Sequence, residues 1–280
     1  MKNAVSHIAP LSFSCILVHF RAESRIKNML VEERKAQLLR LLAQTGRIIA
    51  TDASLSMGVS EDTLRRDLRE LAREGRLKRV HGGAVPISPA TASFSTRMEI
   101  EDAEKARIGK YAAHMIAKGQ LVFLDGGTTA MHVARSLPRD LHATIVTHSP
   151  NVALELMNCE HLNVEIVGGR LFRHSIVTVG AATVAWLGRY RPDICFIGAT
   201  GLHPEQGITT GDSEEAEVKR AVISISGASY ILASSEKIGA VSSFEIADFR
   251  QVDGVITTAE SDIDLTRKIA SKGCNIFQAD

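Results

Sequence analysis

Residues 59–84 read VSEDTLRRDLRELAREGRLKRVHGGA, and their spacing decides the architecture at the front of the chain. Ser60 is placed to cap a helix, EDTLRRDLRELAREG, because its hydroxyl can accept from a free N–H of the first turn. Within it Leu64, Leu68, Leu71 and Ala72 recur at i, i+4, i+7 and i+8, so they share one face and demand a core. Arg65, Arg69 and Arg73 form a parallel stripe that points away from that face. Gly75 ends the helix, and RLKRVHGGAV behind it reads as a basic β-hairpin, or wing. Upstream, residues 31–45 carry the apolar stripe Leu38, Leu39, Leu41 and Leu42 of a first helix that stops at Gly46. Arg47-Ile48-Ile49-Ala50 is β-prone, Thr51 is positioned to cap a short helix, DASLSMG, and Gly58 closes it. Two short helices about a glycine turn, the second rich in arginine and followed by a wing, make a winged helix-turn-helix.

Taken alone, the arginine stripe is an ordinary solvated face whose members pair with Glu61, Asp67, Glu70 and Glu74 on the same helix. The ordered combination with the preceding helix and the basic wing points instead to double-stranded DNA. Ser60, Glu61, Asp62, Thr63, Arg65 and Arg66 occupy the first turns, where base edges are read. Arg69 and Arg73 toward the helix end, and Lys78, Arg79 and His81 in the wing, suit phosphates. Residues 29–85 resemble the N-terminal domain of the DeoR family of bacterial transcriptional regulators, through the opening MLVEER and the string quoted above. The family's usual initiator methionine falls at Met29, which supports a late start.

The whole chain, 280 residues at 45% hydrophobic and 23% charged, is long enough for two domains and excludes a disordered or fibrous protein. Its formal charge of +1 conceals an asymmetry. Four basic residues against one acidic in residues 1–31 give +3, eleven against eight in 32–81 give +3, and eighteen against twenty-three in 82–280 give −5. A polyanion partner therefore belongs at the front. Cysteines 15, 159, 195 and 274 lack C-x-x-C or zinc-type spacing, which argues against a disulfide framework or structural zinc and for a reducing, cytoplasmic setting. The apolar run at residues 8–20 is too short to span a bilayer and lacks a small-x-small cleavage site. Residues 1–28 read as a disordered extension that folding and DNA binding do not require.

Residues 86–96, PISPATASFST, have the composition of a linker. Residues 97–280 then alternate between helices and nearly all-apolar strands. A charged amphipathic helix at 97–118 is followed by LVFLD, ATIVT, VEIVGG, DICFIGATG, SYILAS, DGVITT and NIF as strands, with MHVARSL, SPNVALELM, AATVAWLG, SEEAEVKRAVISI and DIDLTRKIA as helices. This pattern predicts an α/β domain whose mostly parallel sheet is covered on both faces. Ligands of such sheets bind beyond the C-terminal strand ends. The best candidate is Asp125-Gly126-Gly127-Thr128-Thr129, a strand-to-helix turn whose N–H groups and hydroxyls suit a phosphate, although a plain capped turn has the same composition.

The stretches FLDGGTT, VEIVGG, DICFIGATGLHPEQGITTGDSEEAEVKR and SSEKIG resemble the DeoR family sensor domain, which shares its fold with ribose-5-phosphate isomerase. The resemblance implies a regulator, most often a repressor of sugar or carbohydrate genes, released by a phosphorylated sugar and assembled as a homo-oligomer, with no metal and no cofactor. By position it implies that Asp125, Gly127, Thr128 and Thr129 hold the phosphate or sugar end, Thr147 and Ser149 line the site, and Glu215, Lys219 and Lys237 supply charge. Two departures stand out: His148 replaces the asparagine of the family's T-N-S, and Ser234-Ser235-Glu236-Lys237 replaces its D-x-S-K. A sugar-phosphate isomerase, with Asp125, Glu215 and Lys219 in catalytic roles, is the alternative in another class.

Overall fold

The computed structural model describes residues 30–45, 47–88 and 92–280. The proposed extension at residues 1–28 and the proposed stop at Gly46 lie outside the described residues. The chain divides into two compact units between Val85 and Pro86.

The first unit holds α1 (Val31–Thr45), β1 (Ile48–Ile49), α2 (Ala50–Met57), α3 (Glu61–Arg73), β2 (Lys78–Val80) and β3 (Gly83–Val85). Leu38 and Leu42 of α1, Met57 of α2 and Leu64, Leu68 and Leu71 of α3 are buried together with Ile48, Leu77 and Ala84. Each fully buried leucine contributes roughly 1.5–3 kcal/mol, so the periodic leucines account for most of this small core. Gly58, at φ 62°, closes α2, and the Ser60 side chain accepts from Thr63 N–H at the start of α3. The cap expected at Thr51 is not formed, because α2 begins at Ala50 with Ile49 as its capping residue and no side-chain cap. The hairpin does that work: β1 pairs with β3, and Ala50 N–H donates to the Gly82 carbonyl at 2.8 Å. The closeness of β1 explains the second glycine of the wing, since a Cβ on Gly83 would lie 1.7 Å from the Ile48 carbonyl oxygen, while Gly82 turns the hairpin at φ 80°.

In the second unit the strands β4 (Leu121–Leu124), β5 (Ala143–Thr147), β6 (Leu162–Ile166), β9 (Ile194–Gly198), β12 (Ala228–Leu232), β14 (Gly254–Thr257) and β15 (Asn275–Gln278) form one parallel seven-stranded sheet. Its order is β15-β14-β12-β9-β4-β5-β6. Alternation sorts each strand's residues between two cores: Cys195 and Ile197 face one, Ile194 and Phe196 the other. Helices α4 (Phe94–Glu99), α5 (Asp102–His114), α6 (Thr128–Ser136), α7 (Pro150–Glu155), α8 (Ala181–Leu187), α9 (Ser213–Ile225) and α10 (Ile263–Ala270) lie between or before the strands. From β4 the sheet grows toward β6 on one side and from β9 toward β15 on the other, so the chain changes direction between these two strands. That is the switch point at which open α/β sheets bind ligands.

Two parts of the reading need correction. The expected helix at 97–118 and the C-terminal end of the expected linker are instead two helices, α4 and α5, broken at Glu101 with φ 49°. Ser93 caps α4, Phe94 packs on the second core, and the Lys105 ammonium binds the Arg97 carbonyl at 2.6 Å and the Ile100 carbonyl, which fastens the break. The sheet also has antiparallel companions that the alternation does not predict: β10 (Gly201–His203), β11 (Gly207–Thr210) and β13 (Phe244–Ala247) in one, β7 (Arg170–Phe172) and β8 (Val177–Val179) in another.

Candidate functional site

Asp67 and Glu70 of α3 and Glu74 at its end pair with α1, and the basic residues of α3 are left out. Asp67 is buried and accepts from Arg34 Nε at 2.5 Å and Nη2 at 3.0 Å, a bidentate pair with α1. Lys35 of α1 sits between Glu70 and Glu74, 3.0 Å from each. Of the four acids that could have neutralised the stripe locally, only Glu61 does so, binding Arg65 at 2.7 Å. Arg66, Arg69 and Arg73 are exposed and form no ion pair among the described residues. Ser60 and Thr63 are joined in the cap, Glu61 and Asp62 open the helix beside them, and Arg79 and His81 are exposed on the wing with Lys78 half-buried. Packing and pairing together present an unneutralised cationic face, which suits a phosphate backbone.

The second site is a pocket at the C-terminal ends of β4 and β9. Gly126, Gly127, Thr128 and Thr129 form one wall, Gly198, Ala199, Thr200 and Thr210 another, and Glu215, Lys219, Glu236 and Lys237 close it with Arg97, Lys105, His174 and Ser175. The glycines matter locally. A Cβ on Gly126 would come within 2.1 Å of Val177 Cγ1, and Gly127 has φ 91° and begins α6 with no side-chain cap. The amide groups of the first turn of α6 are therefore left for a ligand, in the geometry that binds anions. Thr129 is 3% exposed, yet its Oγ1 has no hydrogen-bond partner among the described residues.

Beneath the pocket lies a charge network. Asp125 is fully buried and accepts from His148 Nε2 at 2.7 Å, from Gly198 N–H at 2.7 Å and from the Lys219 ammonium. His148 is held at its other nitrogen by the Thr178 carbonyl at 2.8 Å. Lys219 also donates to the Gly198 carbonyl at 2.9 Å and lies 3.5 Å from Glu215, which accepts from Thr210 at 2.7 Å. Burial alone would raise the Asp125 carboxyl, but Lys219 and His148 hold it far below the ordinary carboxylate range. Burial would lower the Lys219 ammonium, and Asp125 and Glu215 more than offset this. An aspartate held by three donors and so weakly basic is unsuited to abstract a proton from a sugar carbon.

Lys237 differs. It is buried, no hydrogen bond or ion pair engages its ammonium among the described residues, and burial pushes it down to about 8, with Lys105, Arg97 and Lys219 adding to the fall against Glu236. Burial likewise lowers Arg97, which Glu215 partly restores, and Lys105, which Glu236 partly restores.

The structure thus brings Gly126, Gly127, Thr128, Thr129, Glu215, Lys219 and Lys237 to one pocket, and sets Asp125 behind it as the partner of Lys219. Thr147 and Ser149 do not line it. Thr147 Oγ1 accepts from Ser149 N–H, and Ser149 caps α7 by accepting from Val152 N–H, so both hydroxyls serve the turn. His148 is a buried support. Arg97, Lys105, His174 and Glu236 were missed. The first two lie in a stretch whose charges look like a solvated helix, which Ile100 and Glu101 interrupt.

Comparison with known proteins adds an independent result. A family model described as "DeoR C terminal sensor domain" matches residues 100–259, and one described as "DeoR-like helix-turn-helix domain" matches residues 34–90. The chain is 35% identical over 250 residues to the HTH-type transcriptional regulator GlpR of Haloferax volcanii, covering 89% of this chain and 98% of that protein. It is 31% identical over 228 residues to the glycerol-3-phosphate regulon repressor of Escherichia coli, covering 81% and 90%. Among solved structures it is similar to ribose 5-phosphate isomerase A of Methanocaldococcus jannaschii, at 20% identity and a TM-score of 0.36, over 49% of this chain and 54% of that one.

Proposed function

This chain belongs to the DeoR family of helix-turn-helix transcriptional regulators, and from that premise we propose that it represses sugar or carbohydrate genes and leaves its operator when a phosphorylated sugar fills the pocket. One observation carries the effector reading: the uncapped first turn of α6 faces a pocket that also holds the Thr129 hydroxyl, buried without a hydrogen-bond partner among the described residues, and the buried Lys237 ammonium, which no described carboxylate or carbonyl binds. A phosphate answers all three at once, because it accepts from backbone N–H, hydroxyl and ammonium together. The name of the Escherichia coli relative, a repressor of a glycerol-3-phosphate regulon, is consistent with an effector of that chemistry.

On the DNA side, Arg65 and Arg66 in the first turns of α3 would read base edges, and Arg69, Arg73, Lys78, Arg79 and His81 would meet phosphates. Major-groove readers of this kind work in pairs spaced about 10 to 10.5 base pairs apart, or a multiple. We place the chain in a homo-oligomer for this reason, with the ligand acting through the spacing that the sensor units impose. Its leverage equals its differential affinity for the two arrangements. No described helix is long and apolar enough to cross a membrane, and we place the protein in the cytoplasm with its operator.

The test begins with the full chain and a duplex selected from random sequence. Phosphorylated sugars are screened for release of that duplex, and the active one is titrated against Thr129→Val and Lys237→Met. Both variants should keep operator affinity and lose at least tenfold in response to the ligand. An undiminished response in both would move the sensor site away from α6.

A further inference from the structure

The pocket makes a second demand that a phosphate cannot meet. Three of its side-chain atoms are buried without a partner among the described residues: Thr129 Oγ1, Arg97 Nε and Glu236 Oε2. Thr129 and Arg97 can donate to a phosphate or a sugar oxygen, but the carboxylate of Glu236 can only accept. Its other oxygen, Oε1, takes the Ser234 hydroxyl at 2.8 Å, and the neighbouring Ser235 hydroxyl is already bound to Glu104 at 2.6 Å. No described residue therefore gives Glu236 Oε2 a hydrogen bond.

The charges sharpen this. Lys219 is answered by Asp125 and Glu215, and Lys105 by two carbonyl oxygens. What remains on the pocket wall is the charge of Lys105, Lys237 and Arg97, with the single carboxylate of Glu236 acting on both lysines. An anion seated on Lys237, Arg97 and the α6 amides leaves the Glu236 carboxylate beside it with like charge and an empty acceptor. A ligand hydroxyl would fill the acceptor only. An ammonium would fill it and neutralise the charge, and a charge-assisted hydrogen bond of this kind is the stronger one. Glu236 is also a departure of this chain, standing where the resemblance leads one to expect serine.

We infer that the effector is a phosphate monoester that also bears an amine, with the phosphate at the α6 N-terminus and Lys237 and the ammonium on Glu236. This rests on the phosphate site proposed above and adds the chemistry of the ligand's other end. Glu236 is then the residue that sets specificity.

The test uses the full chain and matched pairs of phosphate monoesters of three to six carbons, each pair differing by one hydroxyl replaced by an amine. Binding is measured by calorimetry, with the dephosphorylated parents as controls. In at least one pair the amine should bind roughly tenfold or more tighter, the gain expected of a hydrogen bond between charged groups. The preference should vanish in Glu236→Gln, and in the original protein it should fade as pH is raised through the ligand's own amine pKa. Equal binding within every pair, or a preference that survives Glu236→Gln, overturns the inference and leaves the phosphate site standing. If no phosphate monoester binds better than its dephosphorylated parent, the phosphate site falls and the inference with it.

Discussion

In the first unit Asp67, Glu70 and Glu74 pair with Arg34 and Lys35 of α1, and the cations of α3 stay outside. In the second unit the cations turn inward with the carboxylates, and Asp125, Lys219 and Glu215 form a buried chain under the pocket. The difference follows from the partner each surface is built to meet. DNA is a large polyanion that approaches from solvent, so exposed and unneutralised arginines serve it at little cost to the fold. A small anion is enclosed, and each cation taken into the enclosure needs a carboxylate, a ring of carbonyls or a lowered pKa. Lys219 uses the first, Lys105 the second and Lys237 the third.

The comparison breaks most sharply at Asp125. Asp125→Ala removes the acceptor of His148, Gly198 N–H and Lys219 together and leaves a buried ammonium whose remaining described partners are Glu215 and the Gly198 carbonyl. The expected loss is about 3–5 kcal/mol, the usual consequence of stripping one member from a buried pair, read from the denaturant midpoint of the second unit. This variant cannot serve as a clean test of effector binding, contrary to what its place in the D-G-G-T-T turn suggests. A midpoint unchanged from the parent would show that the buried chain holds nothing together. Asp67→Ala is the matching experiment in the first unit. Arg34 is 8% exposed, so the expected loss is about 3 kcal/mol, together with loss of operator binding while calorimetry still detects the effector.

On the exposed side the effects are smaller and fall on binding rather than stability. Arg66→Ala should cost about 1–3 kcal/mol with the selected operator and relax its sequence preference. Arg79→Ala should weaken all duplexes alike and lower the slope of log affinity against log salt by about 1. Salt titrations of both variants on specific and random duplexes separate the two roles. If both variants lose the same amount on both duplexes, α3 reads no bases.

Local chemistry was readable where local spacing encodes it. The leucine period of α3, its Ser60 cap and the Gly58 stop are all set within a few residues, and so is the glycine turn that opens α6. Partners distant in sequence were not readable. Nothing in the order of residues pairs Arg34 with Asp67 across 33 positions or Asp125 with Lys219 across 94. That is why the α3 arginines looked self-neutralised and why Asp125 looked like a ligand-holding group. Thr147 and Ser149 misled for another reason: polar residues at a strand end serve either a ligand or the next helix cap, and here Ser149 caps α7. The antiparallel strands β10 and β11, only three and four residues long and each begun by glycine, carry too short an alternation to separate them from loops.

Lys237 gives the finest test, because it is the one pocket cation that neither a carboxylate nor a carbonyl holds among the described residues. Burial lowers its folded pKa to about 8, against roughly 10.4 in the unfolded chain. Between these values the unfolded state binds more protons than the folded one, so the ligand-free protein should gain stability as pH rises from 8 toward 10.4. A bound phosphate has the opposite need, since it favours the charged ammonium. Effector affinity should therefore fall as pH rises above 8, by up to roughly tenfold per unit or about 1.4 kcal/mol. Other groups titrate over the same range, so the quantity to read is the difference between the parent and Lys237→Met. The variant should lose the alkaline gain in ligand-free stability, and its residual phosphate binding should be nearly flat with pH. Parallel pH profiles for parent and variant would place the phosphate beyond the reach of this ammonium, and the enclosed site would then hold its anion through the α6 amides and Thr129.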